Sequence, residues 1–176
     1  MATLSVGGTT VFDGSALQSG VTGDVSGVTI FPAGHVVQTV STVYHDAGSS
    51  TSATAMGQRV PSLDHKITPL FNNSDILIEA GFGGYSSSPY GIYDFYKNAS
   101  DVTETYNLSG EAYGIAPHSG QTKWFHFHML YLDTCPENSL SEKTYGISFW
   151  GSATGTTYVG WGGSSVITVI AKEIKR

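Results

Sequence analysis

From Phe31 onward, short runs of apolar residues are divided by Gly, Pro, Asn and Ser, the texture of strands joined by turns. Eight runs fit strands: "HVVQTVSTVY" (35–44), "LDHKIT" (63–68), "DILIEAGF" (75–82), "YGIYDFYK" (90–97), "KWFHFHMLYLD" (123–133), "TYGISFW" (144–150), "TTYVGW" (156–161) and "SVITVIAKEI" (165–174). Alternation is clearest in Tyr145-Gly-Ile-Ser-Phe149, which fits a strand with one face on a core. Val166-Ile-Thr-Val-Ile170 is almost continuously apolar, and a strand covered on both faces is expected there. No window places apolar residues at i, i+3, i+4 and i+7 between caps, so crossover helices and an α/β fold are not expected. Residues 45–62 are small and polar and read as a surface loop.

The first thirty residues differ. They contain no Lys or Arg, have Gly at six positions and spread their apolar groups too thinly to close a core. An extended arm is expected over residues 1–30, ordered by pairing with a neighbour, with Val6, Val11, Phe12 and Leu17 as its anchoring side chains. Residues 31–176 form the domain, which reads as an antiparallel β-sandwich. A chain of 176 residues buries roughly 70% of its unfolded surface, enough for one such core.

Composition agrees and excludes several functions. Only 12% of residues are charged, and Gly alone occurs 22 times, which favours strands and small-residue turns. The net charge is −6 with no Lys/Arg cluster, so nucleic acid is not an expected partner. No apolar run nears the ~20 residues that span a bilayer, so a membrane is not expected either. Cys135 is the single cysteine, which leaves no intrachain disulfide, and the N-terminus lacks a basic and apolar leader, so assembly in a cytoplasm is expected.

The densest candidate chemistry is "WFHFHMLYLD" (124–133), where a strand would project His126 and His128 from one face. Gly120 lies six residues before His126 and Asp133 five after His128. This spacing resembles the first motif of cupin metalloenzymes, with Asp in place of Glu. A cupin also takes a later His, and none follows His128, so a wet or subunit-facing strand face is preferred to a metal centre. One such His from each of three chains converging on an axis is a further use. No cofactor and no catalytic residue are expected: the chain has no P-loop, no Gly-x-Ser-x-Gly elbow and no complete dinucleotide fingerprint. "GGYSSSPYGIYDFY" (83–96) carries five aromatic residues among Gly and Ser, the composition of adaptable binding surfaces, and offers Tyr85, Tyr90 and Tyr93 as contacts for a host surface glycan. Ordinary core and strand faces are the plainer use of the same rings.

Four segments in order, "FPAGHVVQTVST" (31–42), "ITPLFNNSDILIEAGF" (67–82), "YLDTCPENSLSEKTYGISFWG" (131–151) and "SSVITVIAKEI" (164–174), resemble a β-sandwich domain of bacteriophage virion proteins of the tail-fibre and capsid-decoration kind. The turn Asp133-Thr-Cys-Pro136 is one residue longer than that family's Asp-x-Pro. The resemblance implies a trimeric jelly roll that forms a knob on the particle, with no enzymatic residues. The short chain leaves room for an arm and one knob. A homotrimeric capsid decoration (cement) protein is therefore expected, bound to capsid or tail structural proteins of the same phage and assembled in the host bacterial cytoplasm. A short tail fibre or adhesin, and a cupin-like metalloenzyme, are the alternatives.

Overall fold

The computed structural model describes residues 33–45, 48–52, 54, 58–99, 108–110, 114, 124–134, 139–160 and 166–176, together with the backbone of five further short strands. Three of those strands lie in the N-terminal segment, β1 (Thr3–Val6), β2 (Thr9–Asp13) and β3 (Ala16–Leu17), and form an antiparallel meander of their own. Leu4 pairs with Phe12 and Phe12 with Leu17 in its register. The expected extended arm therefore folds back on itself over these residues.

The rest is the expected all-β sandwich of two antiparallel sheets. Sheet I contains β4 (Val36–His45), β5 (Ser49–Thr51), β8 (Ser74–Ser86), β12 (Phe125–Asp133), β14 (Thr157–Val159) and β15 (Val166–Lys175). Sheet II contains β6 (Gln58–Arg59), β7 (His65–Ile67), β9 (Tyr90–Ala99), β10 (Val102–Thr105), β11 (His118–Ser119) and β13 (Lys143–Gly151). Among the described residues, the helical content is one 3₁₀ turn, Pro61–Leu63.

β8 organises sheet I. Residues 76–84 pair with β12 along one edge, while 74–81 pair with β15 and 84–86 with β14 along the other. Its alternation is complete over 13 residues: Ile76, Ile78, Ala80 and Phe82 point inward, and Leu77, Glu79, Gly81, Gly83 and Tyr85 point out. The strand runs through Gly83-Gly84 instead of turning there. At Gly84 a Cβ would sit 2.7 Å from the Phe127 ring and 2.9 Å from the Tyr93 hydroxyl, so the glycine lets aromatic neighbours close over the backbone.

The core lies between the sheets. Ile167, Val169 and Ala171 of β15 and Met129 of β12 join the inward β8 residues from sheet I. Tyr93 and Phe95 of β9 and Tyr145, Ile147 and Phe149 of β13 meet them from sheet II. Each large side chain fully buried in this way stabilises the fold by about 1.5–3 kcal/mol. β15 departs from expectation: Thr168, Ile170, Lys172 and Ile174 on its outer face are only partly buried and Val166 is exposed, so within one chain the strand is covered on one side.

Two buried carboxylates of the interior are matched by donors. Glu173 accepts from the main-chain N–H groups of Leu70 and Phe71 and from Gln38 Nε2, which clasps the turn after β7 onto β15. Asp94 accepts from the Ser109 hydroxyl and the N–H groups of Ser109 and Phe95, and burial pushes its carboxyl above the ordinary range against those bonds.

Candidate functional site

The outer face of sheet I holds most of the sequence's candidate residues. β12 is paired, among the described residues, with β8 alone, and its side chains alternate between the two faces. Phe127, Met129, Tyr131 and Asp133 face the interior, whereas Trp124, His126, His128, Leu130 and Leu132 face out. His126 and His128 do share a face, as their spacing requires. They stand opposite Gly83 and Gly81, which offer no ligand.

The carboxylate near His128 is Glu79, whose Oε2 lies 3.8 Å from His128 Nε2 while Lys172 holds Oε1. Among the described residues, no group of three or more His, Cys, Asp or Glu side chains is arranged to hold a metal ion. Asp133, the counterpart of the cupin Glu, is an odd number of positions from both histidines and so points the other way. It is 5% exposed, its carboxylate 2.8 Å from Lys97 Nζ and accepting from the Tyr145 hydroxyl at 2.6 Å. The cupin-like ligand set therefore does not assemble.

Below the histidines the outer face mixes apolar side chains with one ion pair. Leu132, Leu77 and Lys172 form one row across β12, β8 and β15; Leu130, Glu79 and Ile170 form the next. Leu130 is 52% exposed and Leu132 44%, and on the far side of the sheet Val43 of β4 and Val166 at the start of β15 are exposed as well. The Glu79–Lys172 ion pair sits within this surface and holds both charges against the sheet.

Above the histidines lies an aromatic platform. Tyr85 of β8 stacks on Trp124 with centroids 5.2 Å apart and meets Tyr158 of β14 edge-on at 5.5 Å, an arrangement that aromatic quadrupoles favour. Trp124 is 45% exposed. From beneath, the Tyr93 hydroxyl donates to the carbonyls of Tyr85 and Tyr158, which pins the two strands that carry the rings.

Of the three tyrosines expected to contact a glycan, the structure keeps only Tyr85 in this platform. Tyr93 is wholly buried and presents no surface, a correction whose cause is that β9 is covered on both faces from Gly91 to Lys97. Tyr90 is exposed but belongs to sheet II. Trp124 and Tyr158 were missed as Tyr85's partners because their contact depends on the β12–β8–β14 register. The side chains of Val6, Val11, Phe12 and Leu17 lie outside the described residues.

No family model matches the chain, and no curated protein matches it. Among solved structures, the structure of infectious bursal disease virus Gx strain is similar with a TM-score of 0.37 and 13% identity, over 79% of this chain and 37% of that one. The chain thus spans little more than a third of that neighbour's length.

Proposed function

We propose that this chain is a structural protein of a bacteriophage virion, a homotrimeric surface knob of jelly-roll type. In this reading residues 31–176 project from the particle, while residues 1–30 anchor to capsid or other structural proteins through Val6, Val11, Phe12 and Leu17. Its work is decoration: bridging shell subunits and stabilising them. The four sequence segments that resemble virion β-sandwich domains support the virion assignment.

The observation that carries the assembly is the outer face of sheet I. Leu130, Leu132, Val43 and Val166 are exposed large apolar side chains on this one face, and the outer side of β15, which also carries Ile170 and Ile174, is left uncovered within one chain. Packing against copies of the same chain removes that surface from water and shields the β12 edge. The test is the double substitution L130K/L132K, read by light scattering after size exclusion. A trimer that becomes a folded monomer supports the reading, and an unchanged trimer shows that this face is not the interface.

The aromatic platform favours a second reading, a short tail fibre or adhesin that binds host surface glycan. Rings fixed by pairing lose little entropy on meeting a sugar face. Particles carrying W124A or Y85A then adsorb to host cells less well; normal adsorption of both removes this reading.

A further inference from the structure

We propose that Lys97 and Asp133 condense into an intramolecular amide that ties the two sheets together. Lys97 stands on β9 of sheet II and Asp133 ends β12 of sheet I, so a bond between them crosses the core. Their side chains are only 5% and 7% exposed, and Lys97 Nζ is 2.8 Å from Asp133 Oδ2. Tyr145, the cross-strand partner of Lys97, donates its hydroxyl to that same oxygen at 2.6 Å. A second amine, Lys143, is fully buried on the same strand and face as Tyr145, two residues away. The single cysteine leaves no disulfide to tie the sheets within one chain.

The chemistry follows from burying two charges together. Desolvation penalises the ion pair, and transfer of one proton from the ammonium to the carboxylate removes both charges, leaving an amine beside a carboxylic acid. The Nζ lone pair then attacks Cγ, and the Tyr145 hydroxyl steadies the negative charge developing on Oδ2, which becomes the amide oxygen. Oδ1 departs with two protons as water. A C–N bond forms, a C–O bond breaks, and no oxidant or co-reactant is needed. Fixed neighbours of this kind react with effective molarities of about 10⁵ M or more, enough to draw an amine and an acid into an amide. Burial then keeps water from reversing the step.

The experiment is an intact-mass measurement on the folded, purified chain, unfolded only for the spectrometer, with K97R as reference. Arg keeps the charge opposite Asp133 but cannot form this amide. The expected result is a wild-type chain lighter than its sequence mass by one water, K97R at its full sequence mass, and a branched proteolytic peptide joining the segments around 97 and 133. Y145F, which keeps the ring and loses the donor, should accumulate the dehydrated form more slowly. A wild-type chain at full sequence mass overturns the proposal and leaves Lys97–Asp133 an ion pair. A water loss that persists in K97R also overturns it, by placing the dehydration elsewhere. Should K97R fail to fold, the wild-type peptide map decides alone.

Discussion

Replacing Glu173 with Ala should remove a large share of the domain's stability. The carboxylate is fully buried and accepts four contacts from three donor groups: Leu70 N–H at 3.0 and 2.9 Å, Phe71 N–H at 2.9 Å and Gln38 Nε2 at 2.7 Å. A hydrogen bond to a charged group contributes about 1.5–3 kcal/mol net, and a buried donor left unmet costs a similar amount. Leu70 is 59% exposed, so water replaces its bond at little loss. Counting only Phe71 and Gln38 gives about 3–6 kcal/mol, against a total of about 5–15 kcal/mol for a domain of this size. Glu173→Gln keeps one acceptor oxygen and should cost roughly half as much. Urea unfolding measures both, with the midpoint shifting and the slope unchanged. A cost below about 1 kcal/mol for Glu173→Ala would refute the clasp as a determinant of stability.

Three other outcomes are expected. His65 is 1% exposed, with Nε2 3.2 Å from the Val40 carbonyl, and burial holds its pKa below the ordinary 6.5. The unfolded chain therefore takes up this proton first, so stability should fall as pH drops through 6.5, and His65→Gln should flatten that part of the profile in urea titrations at several pH values. Gly146→Ala would place a Cβ 2.4 Å from Cε1 of Tyr96, whose hydroxyl is held by Asp64 and whose ring lies under Arg59, at a cost of about 1–3 kcal/mol. In a Tyr96→Ala background the same change should be neutral or stabilising, and additive costs in the double-mutant cycle would contradict the contact. Alanine at Val6, Val11, Phe12 and Leu17 together should abolish incorporation into particles without altering the unfolding midpoint of the domain.

Periodicity made the fold legible. All eight expected strands are present, with ends within two residues of expectation except at the end of β8. That strand was expected to end at Phe82, just before Gly83-Gly84. It runs on because β12 and β14 pair with it on both edges, and because Phe127 and Tyr93 occupy the space that a side chain at 84 would need. The loop expected over 45–62 contains β5 and β6, which are too short to signal and exist only as additions to β14 and β13.

The site was legible in part. Parity along β12 put His126 and His128 on one face, and the same parity, applied to Asp133, separates it from them. Burial of Tyr93 was hidden because "YGIYDFY" alternates no more clearly than a half-exposed strand does, while both faces of β9 are covered. The meeting of Lys97, Asp133 and Tyr145 depends on sheet-to-sheet registry over dozens of residues, for which local pattern carries no signal.

The central claim, a trimeric assembly built on the outer face of sheet I, is tested most directly by a native mass spectrum of the purified chain, which reads subunit number and retained metal together. The account predicts a metal-free trimer. A monomer or dimer carrying one metal ion per chain would contradict it and return His126 and His128 to the centre of the function.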